Sequence, residues 1–307
     1  MKILVTGGAG FLGKYVVEKL EYVGYCSIKV VRSKETDLRI RSQVDRLLHF
    51  FQPDIVIHLA ATVGGIGANM MNPGQFFYDN IMMGLNLIEA SNMVGIRKFI
   101  HVGTVCAYPK HCPVPFKEED IWNGYPEETN APYGIAKKAL FVMLESYRKQ
   151  YNFDSSILVP SNLYGPHDNF NPDTSHVIPA MIKKFVEAKN TGAERVVCWG
   201  SGNATREFLY AENAADAIVK SINVNTGDSP INLGGGQEIS IFDLANKIAS
   251  KVGFSGNIEW DVSKPDGQPR RFLDISLAHR VLNWVPTTTL DDGLEATISW
   301  YLNSLPK

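Results

Sequence analysis

"KILVTGGAGFLGKYVVEKL", residues 2–20, decides how the rest of the chain is read. Ile3, Leu4 and Val5 form a short continuous apolar run, as in a strand covered on both faces. From Leu12 the pattern turns helical, with Val16, Val17 and Leu20 on one side and Gly24 as the stop. Between strand and helix, Gly7, Gly10 and Gly13 stand in the order G-x-x-G-x-x-G. Glycine permits the tight turn there and lets the backbone approach a pyrophosphate seated on the helix N-terminus. Lys2 ahead of apolar residues resembles the start of a secretion signal. Glycines break that run within six positions, so the segment reads as strand and turn.

Outward from this unit the rhythm repeats. "SIKVVR" is a strand, "QVDRLLHFF" a helix and "DIVIHLAA" a strand. A long helical stretch then runs from "GQFFYDN" to "IEASNMVG", followed by the strand "KFIHVG". Continuous apolar strands alternating with helices predict an α/β fold with a doubly wound parallel sheet, its crossovers right-handed. After residue 165 the pattern changes to a polar loop, "GPHDNFNPDTSH", then the helix "VIPAMIKKFVEA" and the strand "RVVCWG". Short strands, the helix "SIFDLANKIASKVG" and proline-bearing turns follow. The predicted organisation is a nucleotide-binding Rossmann domain over 1–168, with part of 205–235 returning to it. A smaller C-terminal α/β lobe over 169–307 takes the substrate, with a cleft between the two.

The totals exclude several classes. Thirty basic and 32 acidic side chains leave a net charge of −2, so neither nucleic acid nor a membrane surface is expected as partner. No stretch approaches the roughly 18 apolar residues of a membrane span. Cys26, Cys106, Cys112 and Cys198 match neither a zinc spacing nor a disulfide framework, and the seven histidines form no ligand cluster. Free thiols, a reducing cytoplasm and no metal are the expectation.

Two further stretches carry chemistry. The second strand ends in "VVRSKETD". An NAD site selective for the ribose diol places an acid at that tip, whereas here it carries Arg32, with Lys34 two residues on. A cation pairs with a 2′-phosphate and favours NADPH; the alternative is a solvated basic loop. "YGIAK" sets Tyr133 and Lys137 on one face of a helix. A lysine ammonium one turn from a tyrosine stabilises its phenolate and can hold a nicotinamide ribose. Thr104, at the end of a strand, would hydrogen-bond a carbonyl undergoing reduction. Together these residues form a hydride-transfer site.

The quoted stretches "AATVGGIGAN" (60–69), "CAYPK" (106–110), "PYGIAK" (132–137), "SNLYGPHDNF" (161–170), "SHVIPA" (175–180), "WGSGNATREFLY" (199–210) and "SKPDGQPRRFLD" (263–274) span nearly the whole chain. In content and order they resemble the GDP-L-fucose synthases, extended short-chain dehydrogenases/reductases that invert C3 and C5 of a GDP-4-keto-6-deoxy sugar and then reduce C4 with NADPH. The resemblance implies Thr104, Tyr133 and Lys137 as the reducing set. Cys106 and His176 become the base and acid that move protons alpha to the carbonyl. By residue type alone, Cys106 also reads as a packing thiol and His176 as a capping or packing histidine. Cys26, Cys112 and Cys198 read as packing residues. Cofactor contacts are implied for Gly7, Gly10, Phe11, Leu12, Gly13, Arg32, Asp37, Leu38, Ala60, Lys137, Asn162 and His176. Lys184, Trp199, Arg206 and Lys264 fall on the substrate side, where a nucleoside diphosphate needs cations; surface solvation is the alternative for Lys184.

The family also pairs two helices across a two-fold axis into a four-helix bundle. That implies a homodimer through the helices at 74–94 and 133–151, with Phe76, Ile81, Leu85, Phe141 and Leu144 as its apolar residues. Three departures stand out. Thr104-Val105 replaces the family's Ser-Ser, Ala9 replaces an arginine found in some relatives, and "KHCPVP" (110–115) is unusual. They bear on which sugar is bound more than on the reaction type. A reductase or epimerase of another GDP-sugar, such as a 4-keto heptose, is the second reading. A non-catalytic nucleotide-binding regulator is the third, disfavoured by the intact Thr104, Tyr133 and Lys137.

Overall fold

The computed structural model describes residues 1–305. The first half runs β1 (Lys2–Thr6), α1 (Phe11–Tyr22), β2 (Ser27–Val31), α2 (Arg41–Phe51), β3 (Ile55–His58), α3 (Ile66–Met71), α4 (Pro73–Val94), β4 (Lys98–Val102), α5 (Ala131–Tyr151) and β5 (Ser155–Pro160). It continues with β6 (Asn162–Tyr164), α6 (Val177–Thr191), β7 (Arg195–Trp199), β8 (Thr205–Tyr210), α7 (Ala211–Lys220) and β9 (Ile231–Leu233). Last come β10 (Glu238–Ser240), α8 (Ile241–Val252), β11 (Asn257–Asp261), β12 (Arg270–Arg271), α9 (Ser276–Leu282) and α10 (Leu290–Ser304).

The main sheet has the order β2-β1-β3-β4-β5-β9, every neighbouring pair parallel. Its inner strands are buried because helices cover both faces, and they are mostly apolar, with Thr6, His58, His101, Ser155 and Ser156 among the buried polar exceptions. Leu47 and Leu48 of α2, Leu87 and Ile88 of α4, and Leu140, Phe141 and Leu144 of α5 pack on one side. Val16 and Leu20 of α1 with Ala214 and Ile218 of α7 fill the other. The chain reverses direction across the sheet between β1 and β3, and a crevice opens at such a point.

In the second lobe β8 pairs with β10, β12 and β6, while β7 and β11 form a separate parallel pair. Ile182 and Phe185 of α6, Leu244 and Ile248 of α8, and Leu294 and Ile298 of α10 form its core. The chain does not divide at one point. β6 lies before residue 168 yet pairs with β8. Ala278 and Leu282 of α9, with Trp284, pack into the first domain's core although the sequence reading gives them to the second lobe.

Three local expectations change. Short α3 lies between "DIVIHLAA" and "GQFFYDN", where the sequence reading places no element. Cys26 is exposed, so it is not a packing residue; Cys198 is buried and Cys112 half-buried, and all four thiols are free. Phe76, Phe141 and Leu144, expected at an intersubunit surface, are buried in the chain's own core. A helix turns successive side chains by 100°, so only one stripe of α4 and α5 can face outward. Tyr78, Leu85 and Val142 are exposed there.

No helix among the described residues is long and apolar enough to cross a membrane.

Candidate active site

A cleft of about 1070 Å³ runs from the first glycine loop to the second lobe. At its floor, Gly7 has φ +75, and a Cβ there would lie 2.7 Å from the Ala60 backbone nitrogen. A Cβ at Gly13 would collide with the Gly7 carbonyl. The loop is therefore shaped by what has no side chain. Gly10 is the N-cap of α1 and gives no side-chain cap hydrogen bond, so the first amides of α1 stay available to an anion. Phe11, Leu12, Leu38 and Asn162 also line the cleft. This cradle fits the diphosphate of a dinucleotide.

At the tip of β2, Arg32 lines the cleft and is exposed, whereas Lys34 does not reach it. Asp37 lines it too, but its carboxylate is occupied. Arg39 donates to it through Nε at 2.9 Å and Nη2 at 2.7 Å, which holds its pKa below the usual carboxylate range. Arg39 reaches on to the buried Asp79 on α4 at 3.0 Å. Arg39 was not singled out in the sequence, where it reads as one more charge in "DLRIR".

Tyr133 and Lys137 are buried on α5. Lys137 Nζ donates to the Val102 carbonyl at 3.1 Å, and burial pulls its pKa down to about 8. Burial drives the Tyr133 phenol above its ordinary value, Cys106 adds to this, and Thr104 opposes it. Lys137 is not among the groups that shift it, so burial rather than the expected ammonium sets the direction here. The shift favours the protonated phenol.

Thr104 caps the 3₁₀ turn Val105–Ala107, its Oγ1 accepting from the Cys106 amide at 3.1 Å. One hydroxyl thus fixes Cys106 and keeps its own O–H to donate. A Cβ at Gly134 would strike the Cys106 carbonyl, so the glycine of "YGIAK" lets α5 sit against this turn. Tyr133 and Cys106 become neighbours for that reason.

His176 is the N-cap residue of α6, but its ring makes no capping bond and opens onto the cleft. The surrounding walls and then Arg271 hold its pKa below the usual histidine range. That shift works against the protonated imidazole that an acid role needs.

Arg206 is buried and donates to the carbonyls of Thr205 at 2.7 Å and Asp266 at 3.2 Å. Burial and Arg271 pull its pKa down to about 9. Arg271, also buried, stands opposite Arg206 in the β8–β12 register, with Nη1 3.8 Å from Cys106 Sγ. Among the described residues neither guanidinium has a carboxylate partner within 4 Å. Two buried, unneutralised cations are costly until an anion arrives. Lys184 lines the cleft with its ammonium bonded to the Val197 carbonyl at 3.0 Å. Lys264 does not line it; its ammonium stands over the half-exposed Trp199 ring, 5.5 Å from the centroid. Arg271 escaped the sequence reading, which took Lys264 from the same motif. Its signal was a second arginine before the apolar "FLD".

A Rossmann cleft that brings a Tyr-x-x-x-Lys pair beside a glycine-rich cradle defines a nicotinamide-dependent enzyme. The chain belongs to the NAD dependent epimerase/dehydratase family, which matches residues 3–234. It is 40% identical to GDP-L-fucose synthase 1 of Arabidopsis thaliana, over 99% of this chain and 94% of that one. Its fold superposes with a TM-score of 0.93 on a GDP-6-OMe-4-keto-L-xylo-heptose reductase from Campylobacter jejuni, at 29% identity over 99% and 98% of the two chains. A GDP-L-fucose synthetase from Naegleria fowleri bound to NADP gives 0.87, at 30% identity over 98% and 94%.

Proposed function

We propose that this enzyme inverts C3 and C5 of GDP-4-keto-6-deoxy-D-mannose and reduces C4 with NADPH, giving GDP-L-fucose. The observation carrying this reading is that Cys106 and His176 open onto the same cleft as Thr104, Tyr133 and Lys137. A simple reductase needs only the last three. The relatives named GDP-L-fucose synthase support it across the whole chain.

Each inversion removes a proton alpha to the C4 carbonyl and returns one on the opposite face. Cys106 as thiolate takes the proton and His176 as imidazolium gives one. The pair becomes thiol and imidazole with its net charge unchanged. The Thr104 and Tyr133 hydroxyls hold the enolate oxygen at C4 meanwhile. When bound, the nicotinamide supplies hydride to C4. Tyr133 then gives its proton to the C4 oxygen, and the Lys137 ammonium balances the phenolate left behind.

Arg32 is the 2′-phosphate contact that selects NADPH, and the Arg39 clasp keeps the Asp37 carboxylate from opposing it. Arg206 faces the diphosphate, with Trp199 and Lys264 at the outer end. The working form is a cytoplasmic homodimer through α4 and α5, using the exposed stripe of Tyr78, Leu85 and Val142.

The deciding experiment is incubation with GDP-4-keto-6-deoxy-D-mannose and NADPH, with product stereochemistry read by NMR. GDP-L-fucose supports the reading. A C4-reduced product with C3 and C5 retained would replace it with the second one, a reductase of another GDP-4-keto sugar. That reading is favoured by the likeness to the heptose reductase and by Val105 in the turn carrying Cys106.

A further inference from the structure

Cys106 and Arg271 are 165 positions apart in the chain, yet sulfur and guanidinium meet at 3.8 Å. A buried amide lies between the segments that carry them. Gln268, only 2% exposed, accepts from Arg271 Nε through Oε1 at 3.1 Å. Its Nε2 donates to the carbonyls of Pro109 and Lys110, both at 3.0 Å. The orientation of the amide is unambiguous, because a guanidinium can only donate and a carbonyl can only accept. Both N–H groups are used, and the carbonyl oxygen is taken by the arginine.

Pro109 and Lys110 directly follow the turn that presents Cys106. That turn is closed by Ala107 N bonding to the Thr104 carbonyl and Tyr108 N to the Val105 carbonyl, at 3.1 and 3.2 Å. Gln268 therefore fastens the thiol's own segment with one side of its amide and the guanidinium with the other. The backbone beyond Arg271 is braced separately. The buried Glu207 carboxylate accepts from Leu273 N at 2.7 Å and from Gly235 N at 2.8 Å. With its strand held on β8 and its Nε held by Gln268, Arg271 is left with Nη1 directed at the sulfur. A long, rotamer-rich side chain without that acceptor would spread over many poses, and charge stabilisation falls with distance.

We propose that Gln268 is a positioning residue, which holds Arg271 against Cys106 Sγ so that the guanidinium stabilises negative charge on the sulfur. This rests on the reading that Cys106 acts as the base, and the test separates the two. Thiolate is the form that iodoacetamide alkylates. Peptide mass spectrometry on the intact protein gives the alkylation rate of Cys106 relative to the exposed Cys26, an internal standard. Gln268→Met, close in shape but apolar, should lower that ratio about tenfold. Arg271→Met should lower it at least as far. The double variant should fall no further than Arg271→Met, since the two residues act through one contact. If Gln268→Met does not fold by circular dichroism, Gln268→Asn, whose amide is too short to span the gap, carries the same comparison.

An unchanged ratio in a folded Gln268 variant overturns the proposal. So does a double variant that falls well below Arg271→Met, which would mean that Gln268 acts on the fold alone. Deuterium uptake at C3 and C5 is read in parallel. If the alkylation ratio drops while uptake is unchanged, the positioning stands and Cys106 is not the base. If uptake drops with the ratio unchanged, the positioning is refuted.

Discussion

Removing the Arg32 guanidinium tests cofactor choice with little else disturbed. Arg32 is exposed, lines the cleft at the tip of β2 and forms no ion pair among the described residues. Arg32→Ala should therefore leave stability within about 0.5 kcal/mol of the wild type, as surface substitutions usually do. A charge-assisted bond to a phosphate is worth roughly 1.5–3 kcal/mol. At about 1.4 kcal/mol per decade, the KM for NADPH should rise between roughly tenfold and a hundredfold. The KM for NADH, which lacks the phosphate, should change less than about threefold. Lys34 stays outside the cleft and cannot compensate. Arg39 lines it, but its guanidinium is committed to Asp37 and Asp79. Initial rates against each cofactor, at fixed sugar and low salt, give both constants. Equal weakening for NADPH and NADH would refute the assignment and leave Arg32 a solvated surface residue.

Five more outcomes follow from the same geometry. Tyr133→Phe should abolish NADPH oxidation while deuterium exchange at C3 and C5 persists. Cys106→Ser should cut that exchange by about 10²–10⁴-fold, since a serine hydroxyl is far less acidic than a thiol; exchange at the wild-type rate would make Cys106 a packing residue. Lys137 is charged below its pKa of about 8, so kcat/KM for reduction should fall as pH rises through that value, and a flat profile to pH 9.5 would contradict its role. Burial raises the Asp168 carboxyl to about 7, above its unfolded value, so the folded state keeps a proton that the unfolded chain loses near pH 4. Its stabilising share is thus full at low pH and is lost up to about pH 7, and Asp168→Asn should gain up to about 4 kcal/mol on the wild type between pH 4 and 8 in urea melts. Val142→Asp, on the exposed stripe of α5, should yield monomers by light scattering at micromolar concentration, and an unchanged mass would place any dimer contact elsewhere.

The proposed reducing set is legible in the sequence because its parts are local. A glycine loop between strand and helix, and a tyrosine and lysine one turn apart, are constraints on backbone conformation and helical period. Each is written within about 20 residues. The roles proposed for Cys106 and His176 come only through resemblance, since a lone thiol and a lone imidazole carry no local signature. Gly134 lay in plain view inside "YGIAK", yet its purpose depends on the carbonyl of Cys106, which belongs to another element.

By itself, then, the sequence determined the parallel α/β framework, the phosphate cradle and the Tyr133–Lys137 helix face, since short-range period and steric rules dictate these. Tertiary structure alone decided that Arg271 lines the cleft beside Cys106 while Lys264 stays outside it, and that Gln268 lies between the segments. It also decided that Phe141 and Leu144 are core rather than interface, and that the Tyr133 phenol shifts up rather than down. Burial and charge environment are sums over neighbours from distant parts of the chain. They take definite values only when β8 and β12 pair and the two lobes close on each other.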